Sequence, residues 1–531
     1  MIIEDFSTET VEVNGYPIQT FKKRFGSVWE MFSKSVAVHE DKTFLIDGQN
    51  RLTFRHTADV VDGMAAHIRN TTGVNKGDHV GILMENSIGF IIAFWAIQKL
   101  GATAVVLNTR LASSELKRQL QFSNLKLLLF SPALSAKIQE IPSTDLDFRQ
   151  FMLGDEWKTF SGGNQIDPPD SIVEDDTALI LFTSGTTGLP KGVMITHRNI
   201  INSSLKSAYI SSQYPSLLGP EEQNTLIAAP LHHVLALQEQ MISSVFLGWG
   251  CIPVSSFNPV EILDLLKRER VSSMSGSPAM YWLLLNRTPI RDLKLDSLKL
   301  ITYGGAPMPP DLLSELRRTF PGVICLNGYG TTEASVISCL QDIFCEQFPK
   351  SVGQPTLCTE VKIVNLSEEQ VSGSDTAGEL AVRGALVTRG YYKLPEETAS
   401  VYRDGWYYTG DLAYQDSNGF IYIMGRTREM INRGGENVYP VEVENVLHLH
   451  PKILDVAVFS LPDPVMGSVV ACAIIPRPDA GNIVTSEILQ FCESQLASYK
   501  IPQKIFFVTD LPKNPSGKVI KKKLTEQYSG E

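Results

Sequence analysis

The sequence lacks the features that mark disulfide-bonded, zinc-binding and membrane-spanning proteins. Its seven cysteines are odd in number and include no C-x-x-C pair, which favours reduced, buried thiols in an intracellular protein. The longest apolar stretch, Gly89 to Ile97, is shorter than the ~20 residues of a membrane-spanning helix. The N-terminus is acidic and polar, unlike a signal peptide, and the C-terminus carries no prenylation, ER-retention or peroxisomal signal. We therefore expect a cytoplasmic protein without a transmembrane segment.

An excess of basic residues, internal repeats and low-complexity tracts are also missing. The net charge of −11 argues against nucleic acid or an anionic membrane as a partner, because both need a basic surface. A hydrophobic content of 43% and a charged content of 20% are typical of a globular protein. The 531 residues exceed one ordinary domain of ~50–250 residues, so two or more domains are expected. Whether the chain is a monomer or a homodimer stays open.

Hydrophobic patterning predicts an α/β fold. Predicted strands and helices alternate over residues 79–130 and again over 225–326, which indicates two parallel sheets with crossover helices. Beyond residue 350, short strands separated by Gly, Asp and Asn predict a small barrel-like subdomain. A compact α+β module follows. We therefore predict a large N-terminal domain over residues 1–426 and a small C-terminal domain over 427–531.

The strongest chemical signal is the segment from Leu181 to Val193, LFTSGTTGLPKGV. Its glycines allow the backbone to approach a polyanion, and its hydroxyl groups and lysine donate hydrogen bonds to phosphate oxygens. It differs from a P-loop, since Pro190 stands where that motif has Gly and Gly192 follows Lys191 in place of Ser or Thr. It predicts a phosphate-binding loop after a strand; a surface turn that binds nothing is the alternative.

Further segments carry polar groups that suit a nucleotide. They are Tyr303 to Pro307, Asn327 to Glu333, Tyr408 to Asp411, Asn514 to Lys518, and the pair His232 and His233. Glu333 offers a hard oxygen ligand for Mg²⁺, and Asp411 offers two acceptors to a ribose diol. Taken singly, each segment also fits an ordinary turn, helix cap, solvated lysine cluster or core histidine. Adjacent histidines without further ligands disfavour zinc.

Together these segments resemble one family. The motifs stand in the order and spacing of the acyl-adenylate-forming superfamily: LFTSGTTGLPKGV, YGGAPM, NGYGTTEA, GELAVRG, YYTGDLA, GRTREMINRGGENVYPVEVE and NPSGKV. That superfamily includes acyl- and aryl-CoA synthetases, adenylation domains of nonribosomal peptide synthetases, and beetle luciferases. The resemblance extends from Leu52 to Lys518. It implies that a carboxylate attacks the α-phosphate of ATP·Mg²⁺ to give acyl-AMP and pyrophosphate, and that a thiol then displaces AMP.

The resemblance also implies a role for each matching residue. The β- and γ-phosphates are bound by Thr183, Ser184, Gly185, Thr186, Thr187, Gly188 and Lys191. Gly305, Ala306 and Pro307 line the adenine and acyl pocket, Asn327 and Tyr329 contact the adenine, and Asp411 and Arg426 hold the ribose. The catalytic residues are Thr332 on the α-phosphate, Glu333 on Mg²⁺, His233 as a gate beside the acyl carboxylate, and Lys518 between that carboxylate and the α-phosphate. The family often has an aromatic residue where this chain has His232.

In this family the small C-terminal domain is mobile and rotates between the two half-reactions. The hinge position corresponds to Arg428, where the family usually has Asp or Lys. After rotation, Gly434 and Gly435 would line the tunnel for the thiol. A Cβ atom at Gly435 should block the pantetheine arm.

The resemblance places the acyl pocket in segments with small or apolar side chains, including Val234, Ala236, Tyr303 and Val336. These segments contain no Lys or Arg, so we expect an uncharged aliphatic or aromatic acid, because a second charged group would need a countercharge. CoA is the expected acceptor, and an enzyme that loads the phosphopantetheine of a carrier protein is the alternative. A non-catalytic nucleotide-binding protein and a phosphotransferase are the rival classes.

Overall fold

The structure is a computed structural model. It describes residues 5–160, 166–169, 171–183, 191–217, 219, 222–293, 295–365, 376–433, 436–478, 480–481, 483–513 and 518–529. The chain divides into two compact units. Unit 1 consists of Met1–Val361 and Val382–Tyr408, and unit 2 consists of Lys362–Ala381 and Thr409–Glu531. The domain boundary expected near residue 427 stays a prediction.

Strands and helices alternate through the first part of the chain. The strands are β1 (Thr8–Val13), β2 (Tyr16–Phe21), β3 (Thr43–Asp47), β4 (Asn50–Thr53), β5 (His79–Leu83), β6 (Thr103–Val106), β7 (Leu125–Phe130), β8 (Arg149–Met152), β9 (Thr177–Thr183), β10 (Lys191–Thr196), β11 (Asn224–Ile227), β12 (Gly250–Pro253), β13 (Ser273–Gly276), β14 (Leu300–Gly304), β15 (Ile324–Thr331), β16 (Ser335–Leu340) and β17 (Gln354–Pro355). The helices are α1 (Val28–His39), α2 (Phe54–Thr72), α3 (Ile88–Lys99), α4 (Ser113–Phe122), α5 (Ser135–Gln139), α6 (His197–Ser212), α7 (Ser243–Leu247), α8 (Pro259–Arg268), α9 (Pro278–Arg287) and α10 (Pro310–Thr319), with a π-helix at Leu235–Ile242.

Two large sheets organise these elements. The first has the order β10-β9-β6-β5-β7-β8 and is parallel except for β10, which pairs antiparallel with β9. The second has the order β17-β16-β15-β14-β13-β11-β12-β3-β4 and is parallel from β15 to β3. The α/β fold with two parallel sheets expected from the sequence is therefore confirmed.

The longest apolar run of the sequence forms a core helix. All twelve residues of α3 are buried, and their hydrophobic side chains pack in the largest hydrophobic cluster. The charged residue at its C-terminal end, Lys99, finds its partners within the protein. Lys99 forms an ion pair with Asp62 and lies 5.0 Å from the centre of the Trp29 ring. Among the described residues, no helix is both long and apolar enough to cross a membrane.

The remaining elements lie in the last third of the chain. They are β18 (Thr359–Val364), β19 (Gly378–Gly384), α11 (Pro395–Val401), β20 (Tyr402–Arg403), β21 (Trp406–Gln415), β22 (Ile421–Arg426), β23 (Ile431–Arg433), β24 (Glu436–Val438), α12 (Pro440–Leu447), β25 (Ile453–Asp463), β26 (Gly467–Pro476), α13 (Thr485–Glu493), β27 (Lys504–Phe507) and α14 (Lys521–Tyr528). A five-stranded sheet has the order β18-β19-β21-β20, with β22 on β21, and β23 pairs with β24. Short 3₁₀ turns lie at Pro132–Leu134, Ser143–Asp145, Asp155–Thr159, Pro215–Leu217, Ile290–Asp292, Asp342–Phe344, Thr427–Glu429 and Ser498–Lys500.

The three-stranded sheet β25-β26-β27 forms the core of unit 2. Alternate side chains of its strands point to opposite faces, as strand geometry requires. Val456 and Val458 pack in one cluster with α12 and α13, while Ala457 and Phe459 pack in another with α14. Helices therefore cover both faces, which gives the α+β module expected for this part of the chain.

The structure gives the local conformation of several segments that the sequence analysis singled out. Residues 327–331 belong to β15 and continue it beyond the strand predicted to end at 326, because they pair with β16 and, at Asn327 and Gly328, also with β14. Residues 408–411 lie within β21 and do not form a turn. The hydrophobic pattern predicts a helix over 237–248, and the structure has one over nearly the same residues, as the π-helix Leu235–Ile242 followed by α7. The lysine-rich tail, for which the sequence predicts no particular structure, contains α14, and its Lys521 pairs with Glu429 and Glu444 at 3.2 and 2.8 Å.

We predict that His197 makes the stability of unit 1 sensitive to acid. Its Nδ1 accepts a hydrogen bond from the Val28 N–H at 3.2 Å, and burial lowers its pKa from 6.5 to about 4. His197 in the unfolded chain takes up a proton at a higher pH than in the folded protein. Its neutral form therefore contributes fully to stability above pH 6.5, and this contribution is lost as the pH falls towards 4. The full effect is roughly 3 kcal/mol of unfolding free energy.

Thermal melting between pH 7 and 4.5 tests this prediction. His197→Asn keeps an acceptor near Nδ1 and should flatten the decline of the melting temperature with acid. The matched control is His56→Asn, since His56 is exposed on α2. Equal pH slopes for the wild type and both variants would contradict the assignment.

Candidate nucleotide-binding site

The predicted phosphate loop lies between two antiparallel strands. Thr183 ends β9 and Lys191 begins β10, and the two residues pair directly across the hairpin. The Thr183 hydroxyl donates to the Lys191 carbonyl oxygen at 3.5 Å, so the stem holds both ends of the loop. The remaining predicted phosphate ligands lie outside the described residues: Ser184, Gly185, Thr186, Thr187 and Gly188.

Lys191 and Glu333 contact opposite parts of one tyrosine. The Lys191 ammonium lies 4.8 Å from the centre of the Tyr391 ring, within the range of a cation–π contact. The Tyr391 hydroxyl donates to Glu333 Oε1 at 2.9 Å. A predicted phosphate-binding cation and a predicted metal-binding carboxylate therefore lie beside the same ring. Sequence reasoning missed Tyr391; a paired Tyr391-Tyr392 after the GELAVRG motif was the available signal.

Glu333 is a buried carboxylate among phenols. It lies just after Thr332 in the connection from β15 to β16, and 8% of its surface is exposed. Burial, and then the negative charge of Glu333, raise the pKa of the Tyr402 and Tyr407 hydroxyls, so both stay neutral. Among the described residues, no group of three His, Cys, Asp or Glu could hold a metal ion.

The predicted adenine segments lie at the carboxyl ends of β14 and β15. Gly304 pairs with Gly328, and the following Gly305, Ala306 and Pro307 are exposed. Asn327 and Tyr329 are half-buried in β15. The structure thus brings these two segments together within unit 1. They lie where ligands bind in open α/β sheets.

Asn86, which sequence reasoning missed, joins the carboxyl ends of the two large sheets. It follows β5, and its Nδ2 donates to the carbonyl oxygens of Ile227 and Ala229 at 3.1 and 2.8 Å. Its Oδ1 accepts from the Leu231 N–H at 2.8 Å. These three bonds hold the connection that carries His232 and His233. An isolated Asn gives no pattern by which the sequence could have shown this role.

His232 is the buried member of the histidine pair, and His233 is half-buried. Their ring centres lie 4.4 Å apart. Burial, and then the charges of His233 and Arg110, lower the pKa of His232 to about 2, so His232 is neutral. Among the described residues its Nε2 is buried without a hydrogen-bond partner. His233 is therefore the more accessible of the two, as a gate residue needs to be.

The predicted acyl segments differ in burial. Ala236 lies in the core within the π-helix, and Val234 packs against that core from a partly buried position. Val336 approaches the backbone of Gly328. Tyr303 is 2% exposed and its hydroxyl lies 3.6 Å from Cys345 Sγ, and burial raises its pKa above the usual value.

A buried ion pair that the sequence did not indicate lies beside these acyl segments. Lys206 Nζ is 2.9 Å from Glu239 Oε1, and their side chains are only 1% and 11% exposed. Ser203, Ser207 and Ser335 donate to the same carboxylate at 2.5, 2.9 and 2.6 Å. Because Glu239 belongs to the π-helix and Ser335 precedes Val336, this network joins two of the predicted pocket segments.

Unit 2 contains the predicted ribose pair. Asp411 and Arg426 are cross-strand partners in β21 and β22, and Arg426 Nε lies 3.0 Å from Asp411 Oδ1. Asp411 is 5% exposed, and Gly410 beside it has a positive φ of 72°, a conformation that favours glycine. Lys518 is exposed. The side chain of Arg428, together with Gly434 and Gly435, lies outside what the structure describes.

Comparison with known sequences identifies the family. A model of AMP-binding enzymes matches residues 32–392. A model of the AMP-binding enzyme C-terminal domain matches residues 442–518. The chain therefore belongs to the AMP-binding enzyme family.

Its relatives match along nearly their whole length. The chain is 34% identical to a feruloyl-CoA synthase of Amycolatopsis sp, over 91% of this chain and 95% of that protein. It is also 34% identical to the 2-succinylbenzoate–CoA ligase of Bacillus velezensis, over 92% and 96%. Among solved structures, the o-succinylbenzoate CoA synthetase of Bacillus subtilis with its acyl-adenylate intermediate aligns with a TM-score of 0.82 at 30% identity, over 94% and 98%. The same synthetase is also known with ATP and a magnesium ion.

We predict that Gly304→Ala disrupts the junction of β14 and β15. A Cβ atom at Gly304 would lie 2.3 Å from the carbonyl oxygen of Gly328, so the paired strands would have to separate. The expected loss is ~1–3 kcal/mol of unfolding free energy, typical of overpacking. Denaturant unfolding and nucleotide binding by calorimetry should both show it.

Gly328→Ala is the matched control on the neighbouring strand. Its Cβ atom would meet only the Val336 methyl groups, at 3.6 and 3.7 Å, which is ordinary contact. Its midpoint of unfolding should stay close to that of the wild type. A Gly304→Ala protein as stable as Gly328→Ala would show that the close approach is not a constraint.

Proposed function

We propose that the protein is an ATP-dependent, AMP-forming carboxylic acid–CoA ligase for an uncharged aliphatic or aromatic acid. Membership of the AMP-binding enzyme family and full-length similarity to named CoA synthases and ligases support this reaction class. The observation that carries the proposal is the joint contact of Lys191 and Glu333 with Tyr391. These contacts place the lysine proposed to bind the phosphates and the carboxylate proposed to bind Mg²⁺ beside the same side chain.

The first half-reaction is a substitution at phosphorus. An oxygen of the acid attacks the α-phosphorus of ATP, the bond to the β-phosphate oxygen breaks, and pyrophosphate leaves with its electron pair. Thr183, Lys191 and the hydroxyl-rich loop between them hold the leaving phosphates. Thr332 and Lys518 donate to the α-phosphate as negative charge accumulates there. The chain's contribution is positioning and charge neutralisation.

The residues present fit a magnesium ion that arrives with the nucleotide. Mg²⁺ favours oxygen ligands and takes one or two carboxylates together with substrate phosphates and water. The structure gives Glu333 Oε1 a hydrogen bond and gives Oε2 none among the described residues, so Oε2 is the oxygen that suits the metal. When bound, Mg²⁺ neutralises charge on the phosphates. Glu333 would hold it, with Thr332 beside it on the α-phosphate.

The ribose is assigned to Asp411 and Arg426. A carboxylate accepts hydrogen bonds from both hydroxyls of a diol, and the ion pair with Arg426 orients this carboxylate. Hydrogen bonds to neighbouring atoms fix the strand around it. The Asp411 N–H donates to the Thr409 hydroxyl oxygen at 3.1 Å, and the Thr427 hydroxyl donates to the Gly410 carbonyl oxygen at 3.0 Å.

In the second half-reaction the CoA thiol, as its thiolate, attacks the acyl carbonyl carbon. The bond to AMP breaks and AMP leaves with the electron pair. We assign this step to a rotated C-terminal domain, with Arg428 at the hinge and with Gly434 and Gly435 along the thiol tunnel. The named relatives act with CoA, which favours CoA over the thiol of a carrier protein.

The acid is assigned by charge. The names of the relatives cover different acids, so similarity alone does not select one. Lys206, which lies beside the proposed pocket segments, forms a buried ion pair with Glu239, so its charge is already compensated within the protein. A second carboxylate or an ammonium group on the substrate would therefore lose its hydration without gaining a partner. This supports an uncharged acyl chain or ring, with His233 near the reacting carboxylate.

We predict that Lys518→Ala abolishes acyl-AMP formation and preserves thioester formation from supplied acyl-AMP. Adenylation, measured as pyrophosphate release, should fall by about 100-fold or more, because a cation at the transition state is lost. Gly435→Leu is the reciprocal variant: it should release pyrophosphate and fail to form acyl-CoA. Equal loss of both half-reactions in Lys518→Ala would rule out two separate arrangements of the C-terminal domain.

We predict that a panel of carboxylic acids shows a preference for uncharged aliphatic or aromatic acids. The panel should include fatty acids, aryl acids, dicarboxylates and amino acids, with pyrophosphate and AMP as the measured products. A preference for amino acids or dicarboxylates would refute the pocket assignment. ADP as the nucleotide product would indicate a phosphotransferase, and no product with any acid would indicate a non-catalytic nucleotide-binding protein.

A further inference from the structure

We propose that Tyr391 is a positioning residue that makes nucleotide binding and metal binding depend on each other. This inference rests on the proposed function, because it assigns the metal to Glu333 and the phosphates to Lys191. Tyrosine alone combines an aromatic face that attracts a cation with a hydroxyl that donates to an anion. At this position both capacities are used, by Lys191 and Glu333 respectively.

The backbone around Tyr391 is held by strand-like hydrogen bonds. Tyr391 forms a β-bridge with Val193, two residues beyond Lys191. The Met194 N–H donates to the Gly390 carbonyl oxygen at 2.9 Å, and the Tyr392 N–H donates to the Gly192 carbonyl oxygen at 2.7 Å. The segment therefore extends the hairpin that carries the phosphate loop. A side chain on such a segment moves little relative to Lys191.

The same segment is attached to the turn that carries Glu333. The Thr388 N–H donates to the Glu333 carbonyl oxygen at 2.9 Å. The Tyr391 N–H donates to the Thr398 hydroxyl oxygen at 2.9 Å, and the Tyr391 side chain is 6% exposed. Glu333 is thus held through its backbone by Thr388 and through its carboxylate by Tyr391. The orientation of Oε2 follows from these two bonds.

A hydrogen bond to one oxygen of a metal-binding carboxylate orients the other oxygen and so affects how tightly the carboxylate binds the metal. Loss of such partners typically lowers metal affinity by ~10–100-fold. The effect should be large here because the described residues contain no group of three His, Cys, Asp or Glu that could hold a metal, so Glu333 has no such cluster to support it. Tyr402 and Tyr407 also lie close to Glu333, but the structure records no hydrogen bond from either hydroxyl to its carboxylate.

The test compares Tyr391→Phe with Tyr402→Phe in the full chain. Tyr402 is the matched control, since its ring packs against Tyr391 at 6.2 Å and its hydroxyl bonds with the Thr388 hydroxyl at 2.7 Å. The probe is α,β-methylene-ATP, whose α–β bond is not cleaved. Calorimetry gives its Kd with and without saturating Mg²⁺, and the ratio of the two values measures the coupling of metal and nucleotide.

Tyr391→Phe should reduce the coupling ratio about 10-fold. It should leave the metal-free Kd close to that of the wild type, because phenylalanine retains the face beneath Lys191. Tyr391→Leu removes that face too, so its metal-free Kd should also rise, by roughly 2–5-fold. Tyr402→Phe should change neither value. A general folding defect would weaken metal-free binding in Tyr391→Phe and would lower its melting temperature.

An unchanged coupling ratio in Tyr391→Phe, or an equal loss in Tyr402→Phe, would overturn the proposal. Pyrophosphate release by the wild type separates this outcome from failure of the proposed function. If the wild type releases pyrophosphate with a carboxylic acid and the ratio is unchanged, only the role of Tyr391 is wrong. If no acid supports pyrophosphate release, the ligase assignment fails whatever the coupling ratio is.

Discussion

The candidate site depends on the meeting of two parallel sheets at their carboxyl ends. Asn86 follows β5 of the first sheet and binds the connection after β11 of the second. Tyr391 is bridged to β10 of the first sheet and bonds Glu333, which follows β15 of the second. Loops at these ends are free of the sheet's own hydrogen bonds, so their polar groups are available to ligands. The Asn86 and Tyr391 side chains thus connect the elements that carry the residues predicted to bind the phosphates and the adenine and to form the gate.

The positions of individual lysines matter more for nucleotide binding than the net charge of the chain. A chain with a net charge of −11 repels a polyphosphate at long range, so binding has to come from cations at short range. Lys191 lies at the end of the phosphate hairpin, on the ring of Tyr391. By contrast, Lys206 is buried and paired with Glu239, and three serine hydroxyls donate to the same carboxylate. A buried pair of this kind contributes geometry to its surroundings and presents little net charge to a substrate.

The sequence was sufficient for those parts of the fold and site that depend on short-range patterns. The alternation of strands and helices predicted both parallel sheets, and Asp411 and Arg426, predicted to share the ribose, proved to be cross-strand neighbours. Residues that act over long sequence separations were missed. Tyr391 lies 58 positions from Glu333 along the chain, so no local pattern indicates their hydrogen bond. The glycines of residues 327–331 disfavour a strand locally, but pairing with the neighbouring strands β14 and β16 overrides that preference.

A single carboxylate has consequences for how a metal is held. Mg²⁺ gives up its water reluctantly and prefers octahedral geometry, so one protein oxygen binds it weakly unless other oxygens arrive with the nucleotide. Burial and the negative charge of Glu333 raise the pKa of the Tyr402 and Tyr407 hydroxyls, so both phenols stay neutral. The negative charge at this place therefore belongs to Glu333 and not to the phenols. Tyr391 occupies the other carboxylate oxygen. In the proposed site the polyphosphate would supply the remaining ligands of the metal, which would link occupation of the metal site to occupation of the nucleotide site.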